Sequence, residues 1–200
     1  MAGGDDNPIV SKRGLLSLGL DRVKKSSAWV AGEALDRFVD RFTPRVQRPP
    51  GAIGEMEFLL ACTRCGACSK ACPVNAILVL GDRAAVAAGT PFLDVNEHRP
   101  CVACADAPCI PACPTGALLP TPILSAVMGT AVIDRDSCLG WNEQRCTRCR
   151  DACPAKDDAV LIAPDGRVFI DPRSCIGCGL CRAACPTSPK SIEVEPPPRY

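Results

Sequence analysis

The sequence predicts an α+β protein: two tandem units of short hairpins, tight loops and short helices, preceded by a helical extension. Three observations predict it. All sixteen cysteines fall into four sets of four, and each set closes with Cys-Pro. Short apolar runs separated by turns recur between and after the sets. Ahead of the first set, apolar residues recur at helical spacing. Together they divide the 200 residues into an extension over 1–50 and two units over 51–125 and 126–200.

The extension comes first in the chain. Leu16, Leu20 and Val23, then Val30, Ala34, Leu35, Phe38 and Phe42, mark one face of one or two helices over 13–42. Ser27 suits a cap for the second stretch, and Thr43-Pro44 ends it. These amphipathic helices either cover the rest of the protein, dock a partner or lie on a membrane surface.

The sets that follow are Cys62, Cys65, Cys68 and Cys72, then Cys101, Cys104, Cys109 and Cys113. The third is Cys138, Cys146, Cys149 and Cys153, and the fourth is Cys175, Cys178, Cys181 and Cys185. The first and fourth read C-x2-C-x2-C-x3-C-P, the bacterial ferredoxin run that holds cubane iron–sulfur clusters. Each iron of a cubane takes one thiolate, so sixteen thiolates match four 4Fe–4S clusters with no remainder. Cysteines two residues apart let one loop wrap three corners of a cube, with its backbone N–H groups aimed at the sulfides. Gly66, Gly177 and Gly179 fall inside those loops, where positive φ and close approach are expected. The fourth cysteine is expected to start a short helix, with the proline in its first turn. In two-cluster ferredoxins that fourth cysteine ligates the neighbouring cluster.

Three other readings compete. Sixteen cysteines could form a disulfide framework, but such scaffolds are shorter and have no reason to repeat this spacing. Structural zinc needs only four cysteines as two C-x2-C pairs, which would leave the third cysteine of each run idle. Clusters could also serve only as folding staples.

Between the sets, Ala76–Leu80 and Pro91–Asp94 read as one pair of strands, and Gly116–Leu119 and Ala131–Asp134 as the next. Ala159–Ile162 turns at Pro164-Asp165-Gly166 into Val168–Asp171, a hairpin, and Ser191–Val194 closes the series. Sets three and four therefore form a complete unit: strand, set, hairpin, set, strand. Sets one and two pair by elimination, with a 28-residue spacer and no leading strand. The alternative pairs two with three and one with four, closing the chain on itself.

With sequential pairing, four ligand groups follow from the exchanged fourth cysteine. They are Cys62, Cys65, Cys68 and Cys113; Cys101, Cys104, Cys109 and Cys72; Cys138, Cys146, Cys149 and Cys185; and Cys175, Cys178, Cys181 and Cys153. His98, the one histidine, reads as a loop residue because the cysteines already account for every corner. Trp141 either shields the third set from water or simply packs.

Composition supports dependence on a cofactor. Only eight residues are aromatic, so two cores of Ala, Val, Leu and Ile are thin without metal–ligand bonds. The net charge of +1 excludes the basic footprint of a nucleic-acid binder. No Gly-x-Gly-x-x-Gly run and no Ser/His/Asp set is present, so no catalytic residue is assigned and flavin or nicotinamide chemistry falls to a partner. No stretch approaches the roughly 18 apolar residues of a transmembrane helix.

Several segments resemble the NapG/MauM group of ferredoxin-type proteins. They are Arg48-Pro49-Pro50-Gly51-Ala52-Ile53, Cys62-Thr63-Arg64-Cys65-Gly66, Ala71-Cys72-Pro73, Gly89-Thr90-Pro91-Phe92 and Thr115-Gly116-Ala117-Leu118. The second set is similar to that family's x2, x4, x3 spacing. The third, with Cys138-Leu139-Gly140-Trp141-Asn142 and seven residues before Cys146, is similar to its stretched variant. The resemblance covers about 46–195. It implies four 4Fe–4S clusters and an electron relay. It also implies redox partners: a membrane-bound ferredoxin-type protein drawing on quinol, or a larger oxidoreductase subunit, as in the periplasmic nitrate reductase setting.

An electron-transfer subunit is therefore expected. A structural or maturation partner of a redox enzyme is the alternative, and a catalytic cluster would need a set lacking one cysteine. Family members carry a twin-arginine export signal. Here Lys12-Arg13 stands at the paired-arginine position, and Asp21, Arg22, Lys24 and Lys25 fall where an apolar run should begin. The expectation is a cytoplasmic protein, with export by a degenerate signal as the alternative.

Overall fold

The computed structural model describes residues 43–198, so the predicted helices over 13–42 lie outside the described residues. Among those residues, short elements are strung between loops. The helices are α1 (Glu55–Ala61), α2 (Ala67–Ala71), α3 (Arg148–Asp151) and α4 (Leu180–Ala184). The strands are β1 (Ile77–Val79), β2 (Pro91–Leu93), β3 (Thr130–Ile133), β4 (Val160–Ile162), β5 (Val168–Ile170) and β6 (Ile192–Glu195).

The strands form three two-stranded antiparallel sheets: β1 with β2, β4 with β5, and β3 with β6. In the β4–β5 hairpin, Leu161 lies opposite Phe169, and Gly166 turns the chain at φ 90°. Val160 and Val168 point inward while Leu161 and Phe169 are half exposed, the alternation expected of a sheet with one wet face. β3 and β6 run from Thr130 opposite Glu195 to Ile133 opposite Ile192, closing the second half around its hairpin.

The first half has a reduced version of that closing pair. Gly116–Leu119, expected as a strand, makes a single bridge, Ala52 to Leu118. Ile53 N donates to Ala117 O at 3.2 Å, and Leu119 N to Gly51 O at 2.7 Å. The leading strand that sequence reading found absent is thus the short segment 51–53. Proline stops the ladder on both sides: Pro49 and Pro50 precede it, Pro120 and Pro122 follow Leu119, and none of them has an N–H to give.

Helix α1 was not foreseen. Glu55 and Glu57 sit in its first turn, where carboxylates suit the dipole, and it places Phe58 fully inside. Arg48 crosses this end of the core. Its guanidinium meets Glu55 at 2.6 and 2.9 Å, donates to Thr90 Oγ1 and Pro91 O, and lies 4.7 Å from the centre of the Phe58 ring.

The helices next to the cysteines correct a second expectation. In sets one and four the helix carries the third cysteine, Cys68 in α2 and Cys181 in α4, and ends at the fourth. Cys72 and Cys185 are extended, with φ/ψ of −74°/115° and −62°/127°. A residue before proline is pushed out of the helical region, so Cys-Pro stops the helix instead of starting one. A single hydrophobic core runs through both halves and includes Cys68, Cys109, Cys149, Cys178, Cys181 and Cys185 beside Phe58, Met128 and Val168. No helix among the described residues is long and apolar enough to cross a membrane.

Candidate metal centres

None of the sixteen cysteines is joined in a disulfide. Three cavities each carry four of them. The first is lined by Cys72, Cys101, Cys104 and Cys109, with Ile77, Leu93 and Ile123. The second is lined by Cys153, Cys175, Cys178 and Cys181, with Val160 and Ile170. Cys138, Cys146, Cys149 and Cys185 line the third, with Leu139, Val168 and Ile192. Cys62, Cys65 and Cys68 share one loop, where Cys65 is exposed, and Cys113 lies near enough to Cys68 to act on it electrostatically. In each cavity three cysteines come from one set and the fourth from another.

The loops explain the placement. In set four, three successive carbonyls are committed to neighbouring segments. Ile176 O accepts from Met128 N at 2.9 Å, Gly177 O from Gln47 Nε2 at 3.0 Å, and Cys178 O from Cys101 N at 2.8 Å. Gly177 and Gly179 take φ of 72° and 82°, which reverses the peptides between them. A side chain at Gly177 would lie 2.5 Å from the Gly129 Cα, so glycine is needed for space as well as for φ. In set one the Gly177 position is Arg64, itself at φ 59°. Its guanidinium holds the loop by donating to Ala88 O at 2.9 Å and Val86 O at 3.0 Å.

Sulfur atoms also accept hydrogen bonds from outside their own loops. Ala76 N donates to Cys72 Sγ at 3.3 Å, and Ala131 N to Cys175 Sγ at 3.4 Å. Hydroxyls stand beside two more: Thr187 Oγ1 is 3.2 Å from Cys185 Sγ, and Thr115 Oγ1 is 3.7 Å from Cys113 Sγ.

Burial, reinforced by neighbouring thiols, pushes Cys109 up to about 12 and Cys149 and Cys178 up to about 11; Cys181 rises as well. Burial also acts on Cys113 and Cys185. There, however, hydrogen bonds from Thr115, Leu118 and Ala117, and from Thr187 and Ser191, outweigh it and hold the thiols below the ordinary value. Buried sulfurs that resist ionisation alone need a cationic partner to become thiolates, and ferric or ferrous iron supplies it. Among the described residues, no group of three or more His, Cys, Asp or Glu side chains gathers tightly enough for one metal ion. Four thiols around a cavity suit a cube with an iron at each of four corners. The residues fit the cofactor.

His98 is exposed, with Nε2 3.1 Å from Asn75 O. Trp141 packs: its indole N–H donates to Val168 O at 2.8 Å, Phe169 meets it edge-on at 5.2 Å, and Arg135 and Arg167 lie over its ring. Leu139, two residues earlier, is one of the apolar residues that line the third cavity. The sequence offered Thr115 only as part of a family segment and Thr187 not at all; their signal is the Cys-Pro-Thr that closes sets two and four alone.

Residues 61–117 and 131–194 each match a family model described as a 4Fe-4S dicluster domain. The chain is 37% identical over 202 residues to the methylamine utilization ferredoxin-type protein MauM of Methylorubrum extorquens, covering 93% of this chain and 89% of that protein. MauM of Paracoccus denitrificans is 39% identical over 82% of this chain and 77% of its own. The ferredoxin-type protein NapG of Escherichia coli is 36% identical over 74% and 70%. The chain belongs to the MauM/NapG family of ferredoxin-type proteins. Its two dicluster domains carry four 4Fe–4S clusters, and it relays electrons in an oxidoreductase system. In this MauM/NapG-type chain the two domain matches bracket the four cysteine sets, two sets to each.

Proposed function

We propose that the sixteen cysteines hold the four clusters in four groups, three of them the sets of four that line the cavities and the last made of the remaining four cysteines. Site 1 is Cys62, Cys65, Cys68 and Cys113. Site 2 is Cys101, Cys104, Cys109 and Cys72. Site 3 is Cys138, Cys146, Cys149 and Cys185, and site 4 is Cys175, Cys178, Cys181 and Cys153. Sites 1 and 2 belong to a unit over 51–125, and sites 3 and 4 to a unit over 126–200. The observation that carries this is the mixed origin of each cavity's four cysteines, three from one set and the last from its partner set.

A bound 4Fe–4S cluster supplies reversible one-electron chemistry. The chain's own part is to hold the sulfurs, exclude water and place N–H and O–H donors beside them, which sets the potentials. The protein works as a carrier between two redox proteins and has no reaction of its own. One partner is a quinol-linked membrane protein of ferredoxin type or another donor, and the other is a larger oxidoreductase subunit. The family relationship supports this reading.

Anaerobically purified protein should contain about 16 iron and 16 sulfide per chain and titrate reversibly by electron paramagnetic resonance within the about −700 to +450 mV range of such clusters. Stoichiometric zinc without brown absorbance would refute the ligand assignment. Full iron that cannot be reduced in that window would leave the clusters as structural staples and end the carrier reading.

A further inference from the structure

The order of the sites in space differs from the order of the sets in sequence. Within the first half, helix α2 carries Cys68 of site 1 and ends at Cys72 of site 2. Within the second half, helix α4 carries Cys181 of site 4 and ends at Cys185 of site 3. Between halves, Cys101 of site 2 meets Cys178 of site 4: the Cys101 N–H donates to the Cys178 carbonyl at 2.8 Å.

The seam around that contact is tightly fitted. A side chain at Gly179 would meet Val95 Cβ at 2.5 Å, and the buried Gln47 amide bonds both Gly177 O and Met128 O. The two cysteines with a threonine hydroxyl beside the sulfur, Cys113 and Cys185, belong to sites 1 and 3. The matching positions after Cys72 and Cys153 are Val74 and Ala155, which have no hydroxyl. The sole exposed cysteine, Cys65, belongs to site 1.

We infer that the four sites stand in single file in the order 1, 2, 4, 3, and that Thr115 and Thr187 are positioning residues that raise the potentials of its two ends. The file rests on the ligand groups proposed above. Cys101 and Cys178 form the crossing between the two units, so a donor and an acceptor address opposite ends, one at the Cys65 loop and the other near Cys138 and Cys146. A hydroxyl hydrogen bond to a ligating sulfur withdraws charge and makes the reduced state easier to reach.

The test uses holoprotein with the iron count verified first, so that a failure of the cluster reading shows there and not in the file. Thr115→Val and Thr187→Val should each shift one resonance to lower potential, a different one in each variant. Thr187→Ser, which keeps the hydroxyl, should restore it. On stepwise reduction the two threonine-sensitive centres should show no dipolar coupling to each other, and each should couple to a different insensitive centre. Direct coupling between the two sensitive centres, or one insensitive centre coupled to both, overturns the order. Unshifted potentials in both valine variants overturn the role of the threonines.

Discussion

At the scale of single residues, the chemistry of the cysteines was plain in the sequence because each iron needs one thiolate and the count left none over. The role of the following proline was harder to read. An N1 proline and a proline that ends a helix at the residue before it leave the same dipeptide in the sequence, and only the direction of the helix separates them. Arg48 was legible as part of a family segment and illegible as a structural residue, since its partners are distant in the chain or on an unforeseen helix. Its guanidinium and Glu55 are both largely buried, with side chains 7% and 16% exposed. Replacing one member of such a pair strands the other, so Arg48→Met should cost about 3–5 kcal/mol. Anaerobic urea unfolding measures it. A double change that also replaces Glu55 by Gln should recover part of the loss, because the stranded carboxylate is then gone.

At the scale of elements, what the sequence showed best was the repeat of short apolar runs separated by turns. Asp134 and Asp171 close β3 and β5, and their carbonyls accept from the amides of Cys138 at 3.1 Å and Cys175 at 3.0 Å, so each strand delivers the next set directly. Side-chain bonds hold these turns too: Asp134 accepts from Ser137 and the Asp136 N–H, and Asp171 from the Arg173 N–H. The second-half hairpin appeared where its turn residues placed it. The first-half closing strand did not, because proline on both sides reduces it to one bridge, which hydrophobic pattern alone cannot distinguish from a full ladder. The glycines of the loops also differ in kind. Gly66 sits at φ 71° with open space around its Cα, whereas Gly177 sits at φ 72° against the backbone of Gly129. Gly66→Ala should cost about 1–2 kcal/mol for the left-handed backbone and keep full iron. Gly177→Ala has nowhere to put its methyl and should lose site 4, lowering iron from about 16 to about 12 per chain. Equal iron contents in the two variants would defeat that distinction.

At the scale of the whole molecule, the repeat was readable but the seam was not: nothing in the spacing says that Cys101 meets Cys178, or that Gln47 reaches across to Gly177. Such contacts depend on three-dimensional packing between halves that share no periodicity. The same packing makes the fold depend on its metal. Among the described residues Phe58 is the single aromatic side chain that is fully buried, and six cysteines count among the core residues. Strands of three or four residues in two-stranded sheets do not stand alone in water, so their apolar faces must be backed by something else. Here the cysteine-lined cavities take that place, with Ile77 and Leu93, Val160 and Ile170, and Val168 and Ile192 forming their walls. Ligand bonds that form only in the folded chain contribute their free energy to folding. Stripping iron anaerobically with a chelator, under conditions that keep the thiols reduced, should therefore abolish far-ultraviolet circular dichroism in step with the brown absorbance. Reconstitution with iron and sulfide should restore both together. A stripped chain that kept its dichroism and a cooperative thermal transition would show that the hydrophobic core suffices, and the dependence argued from its thinness would be wrong.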